Sequence, residues 1–276
     1  MKKLLILSCT ALMIATLNAQ EAEEKKILAG LNVATGINFT QPETGNIDSR
    51  AGIDFNAGMS LDWHFAQNIA FSTGLGFEFN RFRHEFNKDA HFEYIDKDIR
   101  RRYSEDDDNF NTAGEGVFRV NERRYRNRYI NVPTMLRFQT NYMGYFRYFG
   151  KFGAIHNFLV RSRTDNYGVE LTTGETELLD MASSRNLRFY KASIGLSLGA
   201  EWNFAGSTCL VGELGYYFGV TELHQQSALT GDDNSNMHLF ESLRDDDNNL
   251  INKQDRNYWT PTAQQGQLLL RVSVLF

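Results

Sequence analysis

Between Ala51 and Phe79 the chain reads AGIDFNAGMSLDWHFAQNIAFSTGLGFEF, and its period is two. Ala51, Ile53, Phe55, Ala57, Met59, Leu61, Trp63 and Phe65 form one set; Gly52, Asp54, Asn56, Gly58, Ser60, Asp62 and His64 form the other. After Ala66-Gln67-Asn68 the alternation resumes, with Ile69, Phe71, Leu75, Phe77 and Phe79 against Ala70, Ser72, Gly74, Gly76, Glu78 and Asn80. Successive side chains of a strand point to opposite faces, so a period of two means strand. Two long antiparallel strands joined by a tight turn follow, with one wholly apolar face and one small or polar face. Fifteen residues exceeds the usual ~5–6 of a strand in a soluble sheet.

The same pattern recurs along the chain. The first strand is expected over Ile27–Thr40, where Ala29, Leu31, Val33, Ile37 and Phe39 alternate with Gly30, Asn32, Ala34, Gly36 and Asn38. Further strands are expected at Tyr125–Gln139, Phe146–Val160, Tyr190–Phe204, Cys209–Thr221 and Gln267–Phe276. Pro133 lacks a ladder donor and predicts a bulge or a broken bond in its strand. In Phe146–Val160 the reading places Arg147, Lys151 and Asn157 inward, and Tyr148, Phe152 and Phe158 outward. The connections alternate: loop 41–50, turn 66–68, loop 84–124, turn 140–145, loop 161–187, turn 205–208, loop 222–258. Short turns therefore gather at one end and long polar loops at the other. The expectation is a single domain over residues 20–276, an eight-stranded antiparallel up-and-down transmembrane β-barrel of the outer-membrane type, with both termini at the short-turn end.

The only helical apolar run, Leu4–Leu17, follows Lys2 and Lys3 and ends in Leu17-Asn18-Ala19. A basic start, a short apolar core and a small residue at the cut site describe a secretory signal peptide over residues 1–19. Cys9 does not make it a lipoprotein signal, because the apolar core before it is too short. Removing residues 1–19 takes away two lysines and no acid, which carries the net charge from −5 to −7. That balance excludes a nucleic-acid partner. Cys209 is then the sole cysteine, so no internal disulfide holds the exported chain.

Two barrel classes bury one face of such strands: a soluble lipocalin-like barrel keeps the apolar face inside, and an outer-membrane barrel turns it to lipid. The polar face decides. It is rich in Gly52, Gly58, Ser72, Gly74, Gly76, Ser193, Gly195, Ser197 and Gly199, small residues that suit a narrow lumen better than a water-washed exterior. The inward charges Asp54, Asp62, Glu78, Arg137, Lys151, Lys191, Glu201, Glu213 and Arg271, with His64, carry both signs. Unpaired burial of a charge costs several kcal/mol, so a lumenal ion-pair network is expected. Trp63, Phe65, Phe71, Phe138, Tyr145, Trp202, Phe204 and Phe276 cluster where strands meet the short turns. Such a cluster is the aromatic girdle of one membrane interface.

Tyr129-Ile130-Asn131-Val132-Pro133-Thr134-Met135-Leu136-Arg137, Ile194–Ala200 (IGLSLGA), Leu214–Thr221 (LGYYFGVT) and the terminal Phe276 resemble the PorT-like outer-membrane β-barrel proteins of Bacteroidetes-type bacteria, often described as porin family. The resemblance covers nearly all of residues 27–276. It implies a Gram-negative outer-membrane location, recognition of the terminal aromatic strand by the barrel-assembly machinery, and, from the family's namesake, an accessory role in protein secretion across that membrane. It supplies no catalytic residues.

The chemistry candidates are few. Asp62 and His64 share the polar face two residues apart, but a His–Asp pair without a nucleophile is a weak catalytic signal, and a polar plug is the simpler reading. His224 stands near Glu222 and Glu213 at the loop end, without an assignable catalytic set. Asp245-Asp246-Asp247-Asn248-Asn249 offers alternating oxygen ligands for Ca²⁺, yet Leu250 occupies the position of the loop glycine and Arg256 that of the bidentate Glu. A solvated acidic loop is the expectation there and at Asp106–Asp108, with Ca²⁺ in these loops as the competing reading and no other cofactor. Arg100–Arg102 and the arginines of Arg123–Arg128 suit lipid phosphates or the neighbouring acids, since the guanidinium fork matches both. The functional expectation is a non-enzymatic barrel with a structural or interaction role, whose long loops meet external partners or neighbouring membrane proteins; outer-membrane lipids and other envelope proteins are its expected partners. A small-solute pore is the alternative within transport, although eight strands leave an interior just filled by side chains.

Overall fold

The computed structural model of the chain describes residues 26–43, 45–99, 115–205, 208–225, 239–242, 251, 256–259 and 261–276. The expected signal segment, Arg100–Arg102, Asp106–Asp108 and Asp245–Asn249 lie outside those residues. Among the described residues there are thirteen strands: β1 (Ile27–Pro42), β2 (Ile47–Ala66), β3 (Ile69–Phe86), β4 (His91–Ile95), β5 (Asp98–Ile99), β6 (Glu115–Gln139), β7 (Phe146–Glu170), β8 (Glu177–Ala182), β9 (Tyr190–Ala205), β10 (Thr208–Gly219), β11 (Leu239–Phe240), β12 (Tyr258–Trp259) and β13 (Ala263–Leu275). All belong to one sheet. The long strands β1, β2, β3, β6, β7, β9, β10 and β13 each pair antiparallel with the next. β13 then returns to β1, from Gly30↔Leu275 to Pro42↔Ala263. The short connections 67–68 and 140–145 and the paired strand ends Ala205 and Thr208 share one end with both termini of the sheet.

The period-two pattern explains the two faces. Ile53, Leu75, Phe77, Leu196, Leu198, Leu214 and Leu270 point outward and are more than half exposed, Leu198 at 73%. The intervening residues point inward and are buried. On β7, Arg147, Lys151, Ile155 and Asn157 are buried while Tyr148 and Phe152 face out. Opposite Pro133 the β3–β6 ladder is interrupted, with pairs at Thr73↔Thr134 and Gly76↔Asn131 and none between.

The lumen is packed in alternating layers, which the inward residues of β13 mark from the short-turn end: Leu275, Ser273, Arg271, Leu269, Gln267, Gln265, Ala263. Leu275 joins Leu28, Phe149, Cys209 and Val211. Leu269 joins Met135, Ile155 and Tyr217 in a second apolar layer. Ala263 joins Phe82, Tyr125, Tyr129, Leu159, Leu187 and Leu223 in a third, at the far mouth. Small residues on β9 make room for these rings. A Cβ on Gly199 would sit 2.3 Å from the Phe149 ring, and one on Gly195 would sit 2.5 Å from that of Tyr217.

Segments 84–124, 161–187 and 222–258, expected as loops, contain much strand. β3 continues to Phe86, β6 begins at Glu115, β7 runs on to Glu170, and β4, β5, β8, β11 and β12 are additional. Similarly, β1 reaches Pro42 and β2 starts at Ile47 inside the expected 41–50 loop. Two causes hide these strands from a periodicity reading. Beyond the apolar band the outward positions turn charged, so hydrophobicity no longer alternates. The β6–β7 ladder also shifts register between Val120 and Glu122 and between Arg128 and Tyr129, and each shift reverses which parity faces in.

The extensions form a folded cap. β4 pairs with β6, β5 with β4 and, in parallel, with β8, and β8 with β7. They enclose their own core of Ala90, Phe92, Ile99, Phe118, Val120, Met181 and Leu239, with Phe86, Tyr94, Leu178 and Trp259 packed against it.

Candidate functional site

Inside the long strands the charges are organised in three clusters, the first two adjoining through the Arg137↔Lys151 pair. Nearest the short turns, Arg137 on β6 is fully buried and bridges Asp62 on β2 (2.5 Å) and Glu201 on β9. Glu201 also takes hydrogen bonds from Arg147 (2.7 and 2.9 Å) and from the Tyr142 hydroxyl (2.6 Å), while Asp62 accepts one from Ser72 (2.5 Å). The Arg137 guanidinium lies 4.2 Å from the centroid of the Phe149 ring. One level further, Glu213 on β10 holds Lys151 of β7 (2.9 Å) and Arg271 of β13 (3.2 Å). The third cluster joins Glu78 to Lys191 (3.2 Å), and Gln267 donates to both Glu78 and Asp54 at 3.0 Å. Asp54 also accepts from Asn38 (2.8 Å) and Asn80 (2.6 Å).

These clusters hold nine of the ten residues assigned to the lumen from sequence. His64 is apart from them: it is half-buried, and its Nε2 lies 3.3 Å from Gln139 Oε1. The Asp62 carboxylate is taken up by Arg137 and Ser72, so the imagined base-and-orienter pair is not assembled. His224 does not group with Glu213, which lies deep among Lys151 and Arg271, and Glu222 bonds Arg188 at 3.1 Å. Instead His224 meets His84, Nε2 to Nε2 at 3.2 Å. His84 packs beside Phe82 and Tyr125 at the outer mouth, beyond Phe79, the last apolar outward residue of β3. Burial, with the Arg123 charge nearby, pushes its imidazole down to about 3. The sequence reading missed this pair, as well as Tyr142 in the first cluster. Two histidines 140 residues apart share no spacing signal.

A lumenal cavity of about 30 Å³ lined by Asn32, Asn56, Ser60, Asp62, Lys151 and Arg271 has room for a water or two. Among the described residues no group of three or more His, Cys, Asp or Glu side chains is placed to hold a metal ion.

The expected interface aromatics surround the short-turn end on the outside. Trp63 (52%), Phe65 (53%), Phe138 (51%), Tyr145 (72%) and Trp202 (43%) are exposed, and Phe71 and Phe276 partly so. Trp202 stacks on Phe146 at 6.2 Å. The side chain of Phe204 lies outside the described residues.

An all-β sheet with an apolar exterior, an ion-paired interior and an aromatic girdle defines an outer-membrane β-barrel protein. The chain belongs to the outer membrane protein beta-barrel domain family, whose model matches residues 18–225. The similarity to solved structures is more distant. Neisserial surface protein A is 8% identical with a TM-score of 0.35, covering 90% of this chain and 97% of that one. Ail, the attachment invasion locus protein of Yersinia pestis, is 10% identical with a TM-score of 0.33, covering 90% and 98%. The outer membrane protein OprG of Pseudomonas aeruginosa is 8% identical with a TM-score of 0.37, covering 90% and 93%. No curated protein matches the sequence.

Proposed function

We propose that the eight long strands form a closed transmembrane barrel that conducts no solute and serves as a rigid, non-enzymatic scaffold for the folded cap. Its role is structural or one of interaction with other envelope components. Residues 1–19 act as a cleaved export signal, the short turns face the periplasm, and the cap faces outward. PorT-like membership among Bacteroidetes-type barrels is the finer assignment, and it rests on the sequence resemblance at Tyr129–Arg137 and Leu214–Thr221.

The observation that carries this reading is the filled lumen. Three buried apolar clusters stand in it among the ion-paired groups, the outermost made of Phe82, Tyr125, Tyr129, Leu159, Leu187, Leu223 and Ala263. A porin instead needs a continuous polar channel. The cap's own hydrophobic core supports a presented surface rather than a set of loose loops.

Planar-bilayer recording on detergent-purified protein with a heat-modifiable gel mobility tests the reading. Silent bilayers are expected. Reproducible single-channel steps from folded protein would replace the scaffold with the small-solute pore.

A further inference from the structure

On the outward face of β3, β6 and β7 apolar side chains stop at one level and arginines begin. The last apolar outward residues before the arginines are Phe79 on β3, Ile130 on β6 and Val160 on β7. Beyond them the register lines up Phe79, Arg128 and Arg161 in one row across the three strands. Arg81, Arg126 and Arg163 form the next row, then Arg83, Arg124 and Asp165. A bulge sets this arrangement. Arg128 pairs with Arg161 but Tyr129 with Leu159, so Val160 has no counterpart and both Val160 and Arg161 face outward. Without the extra residue, Arg161 would follow Leu159 into the interior.

Like charges directly opposite on neighbouring strands destabilise a sheet. Here Arg81, Arg126 and Arg163 stand in that relation, as do Arg128 and Arg161. Internal acids answer part of the charge. Arg126 meets Asp165 (2.7 Å) and Asp180 (3.2 Å), and Arg163 meets Asp180 (3.9 Å). Arg83 and Arg124 meet Glu122 (3.6 and 2.5 Å), and Arg83 also meets Glu85 (3.2 Å). Arg81, Arg128 and Arg161 are exposed, and among the described residues no carboxylate lies within ion-pair distance of them. Each is also the first arginine beyond the apolar band on its own strand. Directly opposed residues on adjacent strands lie ~5 Å apart and diagonal ones ~7–8 Å. Arg128 and Arg161 therefore flank one position, and Arg81 reaches it from the diagonal.

The missing counter-charge must be anionic, sit outside the wall, and lie where the lipid-facing surface ends. A headgroup phosphate meets all three conditions. We propose that Arg81, Arg128 and Arg161 form a binding site for the phosphates of an anionic lipid in the outer leaflet, held by forked, charge-assisted hydrogen bonds. Glu85 opposite Glu122 closes the patch on its far side and confines the anion to the lipid-proximal rows. The inference rests on the membrane orientation proposed above.

Native mass spectrometry of the detergent-purified protein tests it, with bisphosphorylated lipid A, phosphatidylcholine and inorganic phosphate as separate probes. Lipid A is expected to be retained and the other two lost. Replacing Arg81, Arg128 and Arg161 together by Gln is expected to weaken lipid A binding at least about tenfold, the scale of lost bonds to charged groups. Arg185→Gln, an exposed cap arginine, is expected to leave it unchanged. If the triple variant loses the heat-modifiable band, Arg128→Gln alone serves, with binding several-fold weaker. Undiminished lipid A binding by the folded triple variant, or equal retention of inorganic phosphate, overturns the proposal. Wild-type protein that is soluble without detergent and shows no heat-modifiable band overturns the orientation instead.

Discussion

Replacing Arg137 by Met removes the charge that ties the first lumenal cluster together while keeping most of the side-chain volume. In the wild type the buried guanidinium bridges Asp62 and Glu201. After the change Glu201 keeps Arg147 at 2.7 Å and the Tyr142 hydroxyl at 2.6 Å. Asp62 keeps its hydrogen bond from Ser72 and the more distant charge of Lys151, so it is the carboxylate left without a direct ionic partner. Removing one partner of a buried pair costs about 3–5 kcal/mol, and the retained Arg147 contact puts the loss near the lower end. With a urea dependence of ~1–3 kcal/mol per molar, the unfolding midpoint falls by about 1–3 M. Tryptophan fluorescence reports the transition, because Trp63 and Trp202 both sit at this end of the barrel. The companion variant carrying Asp62→Asn as well removes the stranded charge and is expected to recover much of the loss, a coupling of about 0.5–3 kcal/mol. A midpoint unmoved by Arg137→Met, or a double variant no more stable than the single one, refutes the stranded-charge reasoning.

Leu198→Arg places a cation in the middle of the outward apolar band and is expected to cost about 2–4 kcal/mol and impair insertion; unimpaired membrane folding contradicts a lipid-facing exterior. Acidification is expected to loosen the outer mouth through His84. Its folded value of about 3 lies below an unfolded value of ~6.5, so stability is full above ~6.5 and falls by up to ~1.4 kcal/mol per pH unit on the way down to about 3. Amide exchange of β3 and the cap at pH 7.5 and 5 measures this, and His84→Phe should flatten the response; an unchanged response in that variant removes His84 as its source. Phe92→Ala, at the centre of the cap core, is expected to destabilise the cap locally by about 3–5 kcal/mol while the barrel stays heat-modifiable. Limited trypsin digestion followed by gel mobility separates the two parts, and a cap as protease-resistant as wild type rejects an independent outer core.

The division between sequence and tertiary structure is clearest on β6 and β7. From Met135 to Gln139 and from Phe146 to Asn157, lipid on one side and lumen on the other impose opposite chemistries on alternate residues, so parity alone says which way each side chain points. The inward placement of Arg147, Lys151, Arg137 and Glu201 was legible for that reason. Past Ile130 and Val160 both sides of the wall are polar, the chemical contrast fades, and bulges at Val120/Glu122 and Arg128/Tyr129 reverse the parity. A linear pattern cannot register an inserted residue when no apolar face marks the slip. The strand extensions, the cap core around Phe92 and the outward turn of Arg161 were decided by ladder pairing between distant segments. The same holds for partner choice in the lumen: one-dimensional spacing marks Asp62 and His64 as neighbours, whereas cross-barrel geometry joins Asp62 to Arg137 and His84 to His224. Sequence by itself determined the strand period, the greasy exterior and the charge inventory of the interior, because each follows from the chemistry of single residues beside lipid or lumen. Which charges meet, where the wall bulges and what packs at the mouth were left to the tertiary structure, because those contacts depend on register across strands that are distant in the chain.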